Sequence, residues 1–558
     1  MSGAGDLISR VYGGFRGVDF RGDEINLVRS PDSLNMWKDY KETDSIRTRP
    51  GLALLESFTE PIYGIFFFNN YCIVHSGTTL YKLNNGSKTV LYSNAKAAKS
   101  DSFIYNNIWY FKDGANYLSY DGATMREVVG YVPTTSIARK PSGGGTIYED
   151  VNLISDRRIN SFLADGKSVT FALDAQHIDA DFRPIVKVND EEVNNYSVDY
   201  AAGKITFTEA PSVPLTDGRD NVFIEFKKAV SGYADRIKKC TLLQVFDNRV
   251  FFSGNKEYPN TIWHCSLNDP TYFSDLDYYH EGLDPAAVKG MVAGNNVLWV
   301  FKEPSQANTT VFYHTPTIDS EYGKIYPNTH SNIAIGCIGK AINFNDDVVF
   351  FSDRGMEGIN GDITTEQVIA HRSTLVDRKL TAEADYKDMV LEEWGGYLLV
   401  FIDSRVYLAD SRAMLTNENH AEYEWFYWDI GKKVNCAKVD RGVLYIGTED
   451  GVYTLTDNKA EVESYWVTAL DKFKNPSRLK TTNKRGCVAE AKGAISVYAK
   501  LEDTDFELIG EYKEVTDYFV CRIKRKKFKD LQLKFYTNSR FSLETVTIEA
   551  FIGGYIKR

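Results

Sequence analysis

"DDVVFFSDRGMEGING" occupies positions 346–361. Two apolar pairs, Val348-Val349 and Phe350-Phe351, run into Ser352-Asp353-Arg354-Gly355, and the chain resumes with a short mixed segment. A strand, a glycine-bearing turn and a second strand make a hairpin. Taken alone, Asp353-Arg354 is a charged pair that a loop could present to a ligand. Taken with the rest of the chain, it is one turn in a series.

The plan of turn, apolar strand, turn, apolar strand recurs in altered form. It is seen in "NNYCIVHSGTTLYKLNNG" (69–86), "NNIWYFKDGANYLSYDG" (106–122) and "FDNRVFFSGNKEYPNTIWHCS" (246–266). It returns in "GNNVLWVFKEPSQANTTVFYH" (294–314), "WGGYLLVFIDSRVYLAD" (394–410) and "DRGVLYIGTEDGVYTLTD" (440–457). Counting the opening one, about seven hairpins appear, with weak self-similarity at roughly 45–50 residues, the mark of a β-propeller. The radial repeat of that fold leaves only short, protected edges. Val349, Phe350 and Phe351 are therefore expected in an inner strand, and Ser352 to Gly355 as a blade turn.

The repeat is interrupted. Pro141-Ser142-Gly143-Gly144-Gly145 reads as a flexible hinge. The alternating segments that follow, with turns at Asp165-Gly166, Asn189-Asp190 and Ala202-Gly203, read as a β-sandwich over 145–229 inserted at a loop tip. Beyond about 458, Ile495, Val497 and Ala499, then Leu531, Leu533 and Phe535, alternate with period 2 and predict a C-terminal β-sandwich or jelly-roll over 459–558. Propeller blades then fill 55–144 and 230–458. Residues 1–54 form an N-terminal arm, whose "SIRTRPGLALL" is expected to complete the last blade. Helix is scarce, with 30–40 and 378–389 as the candidates.

Composition supports this class. At 558 residues the chain has room for several cores, at roughly 150 residues per domain. Aromatic residues make up 13%, with 35 Tyr and 32 Phe, and such side chains fit a pleated, half-buried surface. The formal net charge of −11 argues against a freely diffusing nucleic-acid binder, which carries a basic excess. It suits a conduit through which DNA slides without sticking, because phosphate contacts supply most non-specific affinity. The seven cysteines are scattered, with no CxxC, which points away from a disulfide framework or a zinc site and toward small buried hydrophobes. No apolar leader is seen at the N-terminus and no apolar run has the length of a membrane span. The sequons at Asn85, Asn195 and Asn308 then carry no weight.

Motifs for chemistry are few. No phosphate-binding, dinucleotide, zinc-protease, nucleophile-elbow or EF-hand pattern occurs, so neither catalytic residues nor cofactors are expected. His264 lies in a strand and reads as a core or edge residue. "LNDPTYFSDLDYYHEG" (267–282) gathers Asp269, Asp275, Asp277 and Glu281. Carboxylates so grouped can hold a hard cation or flank a glycosidic bond. An inter-blade loop of solvated acids is the plainer reading. "CRIKRKKFKD" (521–530) is a basic run. Arg522, Lys524 and Lys526 would share one face of a strand, either guarding its edge or touching an acidic partner or DNA.

The stretch "FRGVDFRGDEINLVRSPDSLNMWKDYKETDSIRTRPGLALL" (15–55) carries Gly17-Val18, then Ser30-Pro31 leading to Asn35, then Arg49-Pro50-Gly51. In that order and spacing it resembles the N-terminus of bacteriophage tail nozzle proteins, also called tail tubular protein B, and of packaged-DNA stabilisation proteins. "TIWHCSLNDPTYFSD", "SNIAIGCIGKAINFNDDVVFFSDRGMEGI" and "DRGVLYIGTEDGVYTL" are similar to later phrases of that family. The inserted segment resembles β-sandwich modules of phage tails. The resemblance is loosest over 370–430 and 459–520.

The resemblance implies a structural virion protein in a six-fold ring at the distal end of a short tail, assembled in the host cytoplasm. It would contact a tail adaptor or portal-proximal ring and a tail fibre or spike. Genomic DNA would pass through it without sequence-specific binding. Pro31, Asn35, Arg49, Pro50 and Gly51 would have an architectural role, fixing the N-terminal arm to the propeller or to a neighbour. The competing readings are a carbohydrate-binding tail adhesin and, behind it, a propeller glycosidase using Asp275 and Asp277.

Overall fold

The strands of each predicted hairpin follow a two-residue turn in the left-handed region. These turns are Asn69-Asn70, Asn106-Asn107, Asp247-Asn248, Asn295-Asn296, Asn345-Asp346, Gly395-Gly396 and Arg441-Gly442, with φ between 47° and 83°. Two successive residues at positive φ make the tight hairpin turn whose twist matches that of the flanking strands, and Asn, Asp and Gly tolerate it best. Each such turn joins the hairpin to a preceding strand. A fourth strand completes every sheet.

Among the described residues this gives seven four-stranded antiparallel groups. In chain order their second strands are Tyr71–Ser76, Ile108–Lys112, Arg249–Ser253, Val297–Lys302, Asp347–Phe351, Tyr397–Ile402 and Val443–Gly447. The computed structural model describes residues 6–40, 45–84, 86–320, 323–360, 368–417, 420–457, 461–502, 504–523 and 527–556. Asn85 lies outside them. The fold is all-β, of the β-propeller class. The seventh group is completed from the other end of the chain: Gly51–Ser57 pairs antiparallel with Gly451–Thr456, in register Gly51↔Thr456.

Contacts divide the chain into two units, Met1–Gly77 with Tyr81–Lys88 and Asn332–Arg558, and Thr78–Leu80 with Thr89–Ser331. In the first, Val349 and Phe351 of the fifth sheet share a core with Leu398, Val400 and Tyr407 of the sixth. Ile62, Ile65 and Val74 of the first sheet pack with Val452 of the seventh. In the second unit, Phe252 faces Phe103, Tyr110 and Tyr117, while its neighbour Phe251 faces Leu298, Val300 and Phe312. Alternation along one strand thus places successive side chains in two inter-blade cores.

Ser352 to Gly355 is a blade turn, closed by Ser352 N donating to Gly355 O at 2.8 Å, and Thr448 to Gly451 repeats it at 2.9 Å. The hydroxyl of each first residue also bonds the glycine carbonyl, at 3.4 and 3.0 Å.

The inserted sheets begin earlier than the composition indicates. Thr134–Arg139 and Thr146–Ile147 pair with each other in a six-stranded sheet that also holds Arg157–Phe162 and Val222–Lys227. Residues 141–145 are therefore the tip of a hairpin, with Gly143 N donating to Lys140 O at 2.8 Å, and not a hinge. A three-stranded sheet covers the six-stranded one over a core of Phe162, Phe171, Val186, Ile205 and Ile224.

The C-terminal region is built on one 24-residue strand, Arg478–Leu501. Its first half pairs with Phe541–Tyr555 and its last residues with Leu531–Thr537. Ile495, Val497, Ala499, Leu531, Leu533 and Phe535 are all buried.

The N-terminal arm holds strands and no helix among its described residues. Leu7–Gly13 adds to Phe541–Tyr555. Residues 30–40, expected as helix, hold Arg29–Ser30, Ser33–Leu34 and Met36–Trp37. Pro31 lacks the amide that a helix interior needs, and Asn35 sits at φ 56°, so a helical path is broken twice. In 378–389 only Asp377–Leu380 and the 3-10 turn Tyr386–Asp388 are helical.

Candidate functional site

The residues of the N-terminal stretch meet at one buried junction in the first unit. Met36 and Trp37 pair with Thr48 and Arg47, and Met36 also pairs with Tyr427 of the sixth sheet. Ser542 and Leu543 of the C-terminal region pair with Arg47 and Ile46. The arm thereby joins a propeller blade to the C-terminal sheet as one continuous hydrogen-bonded surface.

Asn35 and Arg49 hold this seam. Asn35 Oδ1 accepts from Arg49 Nε and from Asp429 N, each at 2.8 Å. Asn35 Nδ2 donates to Glu463 O at 2.8 Å. The other two guanidinium nitrogens of Arg49 donate to Pro50 O at 2.8 Å and Asp429 O at 2.9 Å. Burial pushes the Arg49 guanidinium down to about 10, with Asp429 opposing the shift, so it stays charged at neutral pH. Its partners are carbonyl dipoles, which satisfy a buried cation's donors without forming an ion pair.

Around this pair the arm is fixed by three further contacts. Arg29 makes a forked pair with Glu424 at 2.7 and 3.0 Å, both side chains buried. Trp37 rings meet Trp428 edge-on at 5.4 Å and Trp394 at 5.5 Å. Gly17 lies so close to the sixth sheet that a Cβ there would stand 2.0 Å from Trp425 O. Gly51 opens the blade-closing strand, and Pro31 is half-buried beside Phe20, Lys379 and Arg405. The arrangement presents no reacting group; what it does is hold chain to chain. Arg29–Glu424 and the tryptophan cluster were not singled out from sequence. The unbroken aromatic run in "EWFYWD" (424–429) is the signal that points to them.

The acidic residues of 267–282 are used separately. Asp269 Oδ1 accepts from Thr271 N and Oγ1, at 2.8 and 2.6 Å. Asp275 accepts from the Tyr233 hydroxyl at 3.2 Å. Burial raises the Asp277 carboxyl to about 6, with Arg249 working against it and the charges of Asp150 and Asp275 adding to it. Glu281 is fully buried, with Oε1 2.9 Å from His314 Nε2 and Oε2 accepting from Asn328 at 3.0 Å. His264 is buried against Tyr279 and Tyr326, and burial pushes its imidazole down to about 3. No group of three or more His, Cys, Asp or Glu able to hold a metal occurs among the described residues.

Arg522, the first residue of the expected basic face, does not lie on a strand. The strand Tyr518–Cys521 ends before it; Arg522 is exposed and Ile523 buried, both outside any strand. Lys524 and Lys526 lie outside the described residues. No helix among those residues is long and apolar enough to cross a membrane.

No protein-family model and no curated protein matches the chain. Among solved structures it is similar to BamB from Moraxella catarrhalis, at 11% identity and TM-score 0.32, over 77% of this chain and 94% of that one. It is similar to Hsv2 from Kluyveromyces lactis, at 10% identity and TM-score 0.27, over 66% of this chain and 99% of that one. An exo-beta-1,3-galactanase from Phanerochaete chrysosporium matches at 10% identity and TM-score 0.23, over 55% of this chain and 95% of that one. Scores this low carry no argument about activity.

Proposed function

We propose that this chain is a structural component of a phage tail, the distal nozzle that continues the DNA channel, retains the packaged genome and releases it after host attachment. The observation that carries this reading is the junction of the N-terminal arm. Gly17, Asn35, Arg49 and Pro50, picked out by the resemblance, converge on one buried seam. A part that must hold a pressurised genome needs its elements tied across long stretches of chain, and this seam supplies such a tie. Copies of the chain would form a six-fold ring against an adaptor ring above and a fibre or spike outside. A ring of inward loops blocks a duplex until attachment shifts its conformational balance, which asks for no catalytic group.

The test is quantitative mass spectrometry of phage particles purified by density gradient. A few copies per particle, far below the capsid protein, are expected. Absence from particles, with abundance outside them, overturns the reading.

A further inference from the structure

Cys487 and Cys521 stand directly opposite each other on antiparallel strands, and both are fully buried and unbridged. Directly opposed residues of antiparallel strands have Cα atoms about 4.5–5.5 Å apart, inside the window of about 4.4–6.8 Å that a disulfide spans. The Tyr512 hydroxyl lies beside this pair and donates to Val520 O, the residue before Cys521, at 2.7 Å. Cys521 lies on a four-residue strand that, among the described residues, pairs with Arg478–Leu501 only and so stands at an edge of the sheet, with Phe519 and Cys521 turned into the core. Next to Cys487 on the long strand, Gly486 brings the backbone so close that a Cβ there would meet Cys521 O at 2.3 Å. The register of the long strand breaks between Thr482 and Cys487 just before this point.

We infer that Cys487 and Cys521 form an oxidisable dithiol, closed to a cross-strand disulfide by a small-molecule disulfide. When the edge strand opens, the Cys521 thiolate attacks one sulfur of the oxidant and expels its other half as a thiolate. The Cys487 thiolate then attacks the Cys521 sulfur and expels the second half. Two protein thiols are oxidised, one oxidant disulfide is reduced to two thiols, and the two protons leave with them. The neighbouring Cys487 thiol and Tyr512 hydroxyl draw the Cys521 thiol below its usual range, against its burial, which favours it as the first attacker. The bond pins the strand that leads directly into the basic segment beginning at Arg522.

The experiment uses the folded full-length chain with millimolar oxidised glutathione, followed by digestion under acid and mass spectrometry. The expected product is a peptide linking Cys487 to Cys521, with amide exchange across 518–521 slowed roughly tenfold in the oxidised chain. Cys521→Ser is expected to abolish that peptide, and Cys487→Ser to leave a glutathione adduct on Cys521. The wild-type chain decides the matter even where either variant fails to fold. Absence of the 487–521 peptide after prolonged oxidation overturns the inference, as does preferential linkage through the half-buried Cys72 and Cys436.

Discussion

Asn35 and Arg49 satisfy each other twice, once through Arg49 Nε to Asn35 Oδ1 and once through Arg49 N to Asn35 O, both at 2.8 Å. The pair is local, yet its partners include Asp429 and Glu463, 394 and 428 residues from Asn35. Truncating Asn35 to Ala leaves Arg49 Nε, Asp429 N and Glu463 O without partners in a buried setting. The cost expected is about 2–4 kcal/mol, since each stranded buried group forfeits its desolvation. Urea unfolding of the full-length chain reads this as a lowered midpoint. Arg49→Lys, which keeps the charge but loses the planar fork, is expected to fall between wild type and Asn35→Ala.

Gly17 and Gly14 separate crowding from backbone strain. Both have positive φ, 107° and 59°. A Cβ on Gly17 would meet Trp425 O at 2.0 Å, whereas one on Gly14 meets nothing within 4 Å. Gly14→Ala should therefore cost about 1 kcal/mol for its conformation alone. Gly17→Ala should cost at least about 3 kcal/mol, because backbone must move. Equal effects in thermal unfolding would count against the close docking of the arm on the sixth sheet.

The hairpins were legible because their strands are buried on both faces and preceded by turn residues. Val297–Lys302 and Tyr397–Ile402 are buried at every position, and apart from the terminal Lys302 they read as unbroken apolar runs. The outermost strands are not: Ser87–Tyr92 is exposed or half-exposed throughout, and its apolar residues are only Val90, Leu91 and Tyr92 at one end. The arm over 30–40 looked helical because its true partners, Tyr427 and Tyr465, are far along the chain and no local pattern announces them. Asn35 and Arg49 stood out through the resemblance, while their shared hydrogen bonds needed the fold. Cys487 and Cys521 could not be paired from spacing, since seven scattered cysteines offer no register.

His371 lies between two carboxylates, with Nε2 2.6 Å from Asp377 Oδ2 and Nδ1 3.1 Å from Glu357 Oε2. Burial works against its charge, but the hydrogen bonds to Asp377 and Glu357 outweigh it and raise the imidazole to about 10. Its folded value exceeds the unfolded one, near 6.5. The stabilisation is thus complete below about 6.5 and is lost as pH rises through about 10. NMR of the ring should show no titration from pH 5 to 8. His371→Gln should remove about 1–2 kcal/mol at pH 7 and flatten the alkaline loss of stability. A ring that titrates near 6.5 would contradict the paired geometry.

Asp277 is raised as well, but there the neutral form is the one the fold favours. Burial lifts its carboxyl to about 6, above the unfolded value near 3.8. The folded state therefore holds its proton longer, and stability drains away as pH climbs from about 3.8 through 6. At pH 7 the charged carboxylate is a liability. Allowing for the solvent that screens this partly exposed side chain, Asp277→Asn should stabilise the chain by about 1 kcal/mol at pH 7, with the gain vanishing near pH 4. The same variant bears on the glycosidase reading, in which Asp277 is one of two working acids. Sugar release by the wild-type chain that Asp277→Asn abolishes would assign the carboxyl a catalytic task, whereas a pure stability gain would leave it a half-buried acid in the loop between the last two strands of one blade, not between blades.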